Sequence, residues 1–148
     1  MRDTLYFAYG SNMDLGQMEA RCGNNFKLLG KAVLEGWEFY INNRSKANIA
    51  IDTTRPDSVV YGILFKINED ALGSLDRSEG NNKIPKIYDR EKEKVNFNGD
   101  DVGAWVYVDK NNLGTGKSDQ SDYLERIIKT ASKFKFPPEY IKHIESFK

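Results

Sequence analysis

Two short stretches of the chain carry residue types that can do chemistry on a small substrate. The first is Gly10-Ser11-Asn12, which follows directly on the apolar run Leu5-Tyr6-Phe7-Ala8-Tyr9. A strand that ends in Gly-Ser-Asn can bend sharply, because glycine and asparagine tolerate positive φ. Successive backbone N–H groups then point into one space and form a small anion-binding nest. The same residues equally describe an ordinary strand-to-helix turn capped by Asn12 or Asp14. The second stretch ends in Glu79. A carboxylate in the last turn of a helix faces the negative end of the macrodipole, which disfavours its ionised form, and burial raises its pKa further. A carboxylate tuned in this way can accept and release protons at cellular pH. A solvated surface glutamate fits the bare residue as well. Asp76, three residues earlier on the same helical face, is either a second carboxylate or an ion-pair partner. Tyr9, Tyr61, Tyr88, Trp105, Tyr107 and Tyr123 are able to line a pocket, although such aromatics also stabilise sheets.

Several other chemistries lack their parts. His143 and Cys22 are the only histidine and cysteine, so a zinc site of the usual ligands would be short of members, and an intramolecular disulfide cannot form. A serine or cysteine nucleophile would have to recruit His143 from the final helix, where Ile141 and Ile144 claim the apolar stripe and leave the histidine on the surface. Gly114-Thr115-Gly116-Lys117 ends like a phosphate loop but lacks its full spacing and the preceding strand. The expectation is a protein that uses no metal and no cofactor.

The elements that position these residues follow from local pattern. The opening run reads as a strand, and Asp14 with Gln17 as a capping box for a short helix to about Arg21, stopped by Gly23-Asn24-Asn25. Val33-Leu34, then Trp37, Phe39 and Ile41, alternate as in a half-buried strand; Asn48 to Ile51 is a short apolar segment. A proline turn, Arg55-Pro56-Asp57, precedes Val59 to Phe65, the strongest strand signal in the chain. Asn68 caps a helix carrying Ala71, Leu72 and Leu75, with Gly80 as its stop. Ile87 to Phe97 reads as a polar strand, and Asn98-Gly99 as the hairpin turn returning through Val102 to Val108. A loop containing Gly, Asn and Ser leads to a helix with Leu124, Ile127, Ile128 and Ala131, capped at Ser121 or Asp122. Pro137-Pro138 opens a last helix with Ile141, Ile144 and Phe147 inward. Regular βαβ alternation is missing, which predicts one α+β domain over 1–148 with a mixed, mostly antiparallel sheet.

Composition agrees with one globular domain. The 148 residues are 39% hydrophobic and 30% charged, enough for a core without staples. Lys+Arg and Asp+Glu balance at 22 each, so no net field gathers nucleic acid or a membrane surface. No apolar run reaches the roughly 20 residues of a membrane helix, and the N-terminus does not read as a signal peptide. The expectation is a cytoplasmic protein with a small-molecule substrate.

The two stretches together resemble the γ-glutamylcyclotransferase, or AIG2-like, family. Leu5 to Met13 is similar to its LYFAYGSN signature almost letter for letter, and Ser74-Leu75-Asp76-Arg77-Ser78-Glu79-Gly80 resembles its SLDxxEG motif. Val59 to Phe65, Tyr88, Tyr123 to Ala131 and Pro138-Glu139-Tyr140 extend the likeness over nearly the whole chain. The resemblance implies a small mixed, mostly antiparallel β-barrel flanked by helices. It also implies cyclisation of a γ-glutamyl group to 5-oxoproline with release of the attached amine, and so a role of the glutathione-metabolism kind. It makes Glu79 the catalytic acid/base and Tyr9, Gly10, Ser11, Asn12, Tyr88 and Tyr123 substrate-binding residues. Trp105 stands where the family has a further tyrosine and is expected on the substrate's leaving-group side. The YGSN form favours γ-glutamyl-amino acids, while Trp105 and a longer 81–87 segment suit a bulkier biosynthetic amine. A non-catalytic ligand-binding module of the same fold is the remaining alternative. The family includes homodimers, and monomer and homodimer both stay open for this chain.

Overall fold

The computed structural model describes residues 3–148 except 53, 56, 85 and 118–120. Pro56 of the expected proline turn, the end of the loop before the third helix and the side chain of Ser121 lie outside the described residues. The chain runs β1 (Thr4–Ala8), a 3-10 turn (Ser11–Met13), α1 (Leu15–Cys22), β2 (Phe26–Glu35), β3 (Trp37–Ile41), β4 (Ala47–Ile51) and β5 (Val59–Ile67). It continues through α2 (Glu69–Glu79), β6 (Asp89–Phe97), β7 (Asp100–Val108), α3 (Ser121–Lys133) and α4 (Pro138–Glu145). Five strands close into a barrel in the order β1-β5-β2-β6-β7, and β3 and β4 form a separate two-stranded sheet. The pairings are antiparallel except where β7 meets β1 in parallel and shuts the barrel. The expected α+β barrel with flanking helices is present.

Two strand expectations are corrected by tertiary pairing. β2 starts at Phe26, well before the expected Val33, because Phe26 to Glu35 pairs along the length of β5 with a bulge between Leu28 and Gly30. The segment 26–31 has no clean two-residue alternation, so only its partner identifies it. Trp37 to Ile41 does not continue β2. The chain leaves the barrel at Gly36 and pairs Trp37 with Ile51 and Ile41 with Ala47 in the small sheet. Phe39, Tyr40 and Ile41 are all buried, so the simple alternation fails there too.

The helix ends are set by local chemistry. Asp14 accepts a hydrogen bond from the Gln17 N–H at 3.1 Å, and Asn68 accepts one from the Ala71 N–H at 3.0 Å. Each satisfies a donor that the first helical turn would otherwise leave orphaned. α2 stops at Gly80, which is left-handed (φ 71°), and a Cβ there would lie only 2.9 Å from the Ile87 side chain. After this stop the chain folds back on the helix end: the Ile87 N–H donates to the Gly80 carbonyl at 3.1 Å and the Tyr88 N–H to that of Glu79 at 3.2 Å. In α4, Tyr140, Ile144 and Phe147 are buried while Ile141 is only half-buried. His143 is half-buried instead of on the surface, and its Nε2–H donates to the Phe39 carbonyl at 2.7 Å.

β1 and β5 approach unusually closely at Gly62. A Cβ at that position would stand 2.5 Å from the Ala8 carbonyl oxygen and 2.5 Å from Phe7 Cζ. Backbone and a fully buried ring have no room to move, and overpacking of this kind costs about 1–3 kcal/mol. Gly62→Ala is expected to lower unfolding stability by at least that amount in urea titration, whereas Gly73→Ala, inside α2 with only the Arg77 side chain at 3.6 Å from its Cβ position, should not destabilise.

Candidate active site

A cavity of about 290 Å³ opens between β1 and the turn after it, α1, the β3–β4 turn, the C-terminal end of α2 with the return to β6, β7 and the start of α3. Tyr6, Tyr9, Gly10, Ser11 and Asn12 come from β1 and its turn; Arg21 from α1; Arg44, Lys46 and Ala47 from the β3–β4 turn. Ser78, Glu79, Ile87 and Tyr88 come from α2 and the return to β6, with Tyr107 from β7 and Tyr123 from α3 completing the wall. Glu79 reaches the turn after β1 through one buried amide. Asn12 Nδ2 lies 3.0 Å from Glu79 Oε1 and 3.0 Å from the Tyr6 hydroxyl oxygen, donating to both, and Asn12 Oδ1 accepts from Arg21 Nε at 3.0 Å. An asparagine amide offers two donor hydrogens and one oxygen, and all three are used. This contact joins residues 67 positions apart in the sequence.

Burial pushes the Glu79 carboxyl above the usual glutamate range, opposed by the Arg21 charge and the Asn12 hydrogen bond. A carboxylate under these opposed influences changes protonation state readily in response to a substrate. The surrounding phenols are held neutral. Burial raises Tyr6, Tyr9 and Tyr88, with Glu79 adding to each, and Tyr123 is pushed up to about 12. They act as hydrogen-bonding groups with fixed tasks. The Tyr9 hydroxyl donates to the Tyr107 carbonyl at 2.6 Å, and the Tyr107 hydroxyl to Asp76 Oδ1 at 2.7 Å. Tyr88 donates to the Ala47 carbonyl at 2.7 Å, and the Tyr123 oxygen accepts the Ala47 N–H at 3.0 Å. Gly10 packs so near this point that a Cβ would lie 3.3 Å from Ala47 Cβ.

Of the residues expected from sequence, Glu79, Tyr9, Gly10, Ser11, Asn12, Tyr88 and Tyr123 are brought together around this one cavity. Trp105 is not. It precedes Tyr107 by two residues on the same face of β7, about 6.6 Å further along the strand, and lies beneath Arg90 and Lys92, whose cationic groups sit 4.4 and 4.7 Å from its ring centre. Strand periodicity permits the right face but not the right rung. Tyr61 packs instead on Phe136 and Tyr140. Asp76 pairs with Arg90 at 3.3 Å and takes the Tyr107 hydroxyl, so it ties the end of α2 to β6 and β7 instead of facing the cavity. Arg21, Arg44, Lys46 and Tyr6 were not singled out by sequence reasoning. No motif marks the three cations, and only the packing of α1 and the β3–β4 turn reveals them.

Behind the β3–β4 turn lies a second buried carboxylate, Asp109. It accepts from the N–H groups of Asn111 and Asn112, from both side-chain amides of Asn42 and Asn112, and from Arg44 Nη1 at 3.4 Å. Its own N–H donates to Asn48 Oδ1 at 2.9 Å. This network holds the turn against the end of β7.

Comparison with known proteins follows the geometry. The sequence pattern of the family described as "Gamma-glutamyl cyclotransferase, AIG2-like" matches residues 6–128. The chain belongs to this family. Among solved structures it is similar to one named gamma-glutamyl cyclotransferase, with TM-score 0.85 and 23% identity over 99% of this chain and 89% of that one. It is also similar to the Bacillus subtilis protein YkqA, with TM-score 0.81 and 22% identity over 99% of this chain and 54% of the other. A yeast gamma glutamyl cyclotransferase specific to glutathione superposes with TM-score 0.67 and 11% identity, covering 99% of this chain and 96% of that one. No curated protein sequence matches. At these identities the structural likeness establishes the fold.

Two outcomes follow from the site's construction. The folded state holds a proton on Glu79 more tightly than an unfolded chain with a pKa near 4.5. This residue's contribution therefore favours folding below that value and is lost as pH rises through the raised pKa. Glu79→Gln should gain stability relative to wild type as pH is raised from 4 to 7, read as a growing difference in Tm. Asp109→Ala strands several buried donors and should lower stability by at least about 2 kcal/mol, measured by chemical denaturation.

Proposed function

We propose that the protein is a γ-glutamylcyclotransferase acting on a γ-glutamyl-amino acid, with Glu79 as its proton-transferring group. The observation that carries this reading is a buried carboxyl on the wall of a partly open cavity, fastened by Asn12 to the glycine turn after β1, where burial raises its pKa. In the reaction the substrate's α-amino nitrogen attacks its own γ-carbonyl carbon. The new C–N bond closes a five-membered lactam, and the C–N bond to the leaving amine breaks. One proton leaves the attacking nitrogen and one joins the departing nitrogen. Glu79 performs both transfers in turn, so the balance closes without a covalent enzyme intermediate. Because attack is intramolecular, the cavity contributes mainly by holding the substrate in a folded, reactive shape, an effect that can supply about 7–11 kcal/mol.

The surrounding groups have definable tasks in this reading. The first N–H groups of a helical turn have no intrahelical acceptor, and those at Gly10 to Asn12 are offered to a negative oxygen of the substrate. Tyr9 and Tyr88 spend their hydroxyl hydrogens on backbone carbonyls and so shape the wall. Arg21, held by Asn12, limits how far burial raises Glu79. The position of Trp105 beneath Arg90 and Lys92 removes one of the two features that suggested a bulkier amine.

Incubation with γ-glutamyl-alanine, γ-glutamyl-lysine and glutathione, with 5-oxoproline detected by mass spectrometry, should give product from the first. Glu79→Gln should bind substrate and lose about 10²–10⁴-fold in kcat. Wild-type turnover in that variant would remove Glu79 from the mechanism. Asp76→Asn, which acts on the helix end and not in the cavity, should lose less activity.

A further inference from the structure

The β3–β4 turn brings two cations to the wall of the cavity, and the family reading leaves them without a task. Arg44 and Lys46 flank Ser45, a residue with positive φ (62°). The turn is rigidly tied. Asn42 is fully buried, and its Oδ1 accepts the N–H groups of Arg44 at 3.0 Å and Lys46 at 3.2 Å. The Asn42 N–H donates to the Lys46 carbonyl at 2.8 Å, and the Ser45 N–H to the Asn42 carbonyl at 2.9 Å. The next residue, Ala47, is gripped on its N–H by Tyr123 and on its carbonyl by Tyr88. Side chains are oriented as well: Arg44 Nη1 pairs with fully buried Asp109 at 3.4 Å, and Lys46 Nζ lies 4.6 Å over the Tyr123 ring. A turn with this many fixed bonds presents its cations with little left to order on binding, which favours affinity.

Charge is also divided along the cavity. Arg21 is bonded at 3.0 Å to Asn12, the residue that holds Glu79, whereas Arg44 is paired with Asp109 and its turn is held by Tyr88 and Tyr123 at Ala47. In the cyclisation the α-amino nitrogen and the γ-carbonyl must both lie at Glu79, beside the Gly10–Asn12 turn. The substituent on the leaving nitrogen must therefore extend elsewhere along the cavity, whose wall includes Arg44 and Lys46. On this reading, which rests on the cyclotransferase assignment above, we infer that Arg44 and Lys46 form a subsite for the carboxylate of the leaving amino acid. The subsite makes the protein select γ-glutamyl-α-amino acids over γ-glutamylamines that lack this carboxylate. Arginine suits the task because its planar guanidinium can keep one nitrogen on Asp109 while turning another to a ligand oxygen.

The test compares two substrates that differ by that carboxylate alone, γ-glutamyl-alanine and γ-glutamyl-ethylamide. The wild-type protein is expected to prefer γ-glutamyl-alanine in kcat/KM by about 10–100-fold, the range of one or two charge-assisted hydrogen bonds. Arg44→Gln and Lys46→Gln should each lower kcat/KM for γ-glutamyl-alanine several-fold more than for the ethylamide, so the preference shrinks. Arg44→Lys, which keeps a charge, should restore part of it. Because Arg44 also holds Asp109, thermal melting of each variant separates lost folding from lost selectivity, and Lys46→Gln gives a second reading. Equal wild-type turnover of the two substrates, or equal loss on both in folded variants, would overturn the subsite while leaving the cyclotransferase reading intact. Turnover of neither substrate by the wild-type protein would overturn that reading, and the subsite with it.

Discussion

The contact on which the site depends is the one between the Asn12 amide and the Glu79 carboxyl. Everything local to either residue is ordinary: a glycine bend after a strand, and the last residue of a capped helix. Joined at 3.0 Å, with Tyr6 and Arg21 on the remaining atoms of the same amide, they become one constellation. A buried amide with both hydrogens and its oxygen engaged is hard to move, since releasing a partner strands a polar group at about 1–3 kcal/mol. The barrel supports this constraint from below. β1 delivers the turn, and its close approach to β5 at Gly62 sets where the strand lies.

The electrostatics follow from the same enclosure. Burial alone would neutralise Glu79, and Arg21 alone would keep it ionised. Their opposition, with the asparagine between them, leaves a carboxyl that is raised but not lost to proton exchange. The ring of tyrosines contributes no charge because burial keeps each phenol protonated. Their hydroxyls instead knit β7, the β3–β4 turn and α3 together at Ala47 and Tyr107. The second carboxylate, Asp109, is purely architectural. It gathers asparagine amides and one guanidinium, and so fixes the β3–β4 turn that forms part of the cavity wall.

Asp76 and Trp105 illustrate how motif and mechanism separate. Both stand in stretches that resemble the family, yet neither faces the cavity. Asp76 is spent on Tyr107 and Arg90, and Trp105 on a pair of cations outside. His143 shows the reverse, since a residue expected at the surface is drawn in by the Phe39 carbonyl.

Local chemistry by itself determined the helix limits, the hairpin at Asn98-Gly99 and the strongest strands. Caps, glycine stops and apolar alternation act over a few residues and can be read without knowing their partners. Local chemistry left the two motifs with ordinary readings as a turn and a surface glutamate, and it was their resemblance to the γ-glutamylcyclotransferase family that led to Glu79 and the Gly10–Asn12 turn. Tertiary structure alone decided the early start of β2, the departure of β3 from the barrel, the outward place of Trp105 and the recruitment of Arg21, Arg44 and Lys46. Each of these depends on which distant segment lies alongside. Pairing across strands and packing of helices on the barrel are long-range effects, and one residue's type carries no record of the neighbour that closure of the barrel will bring.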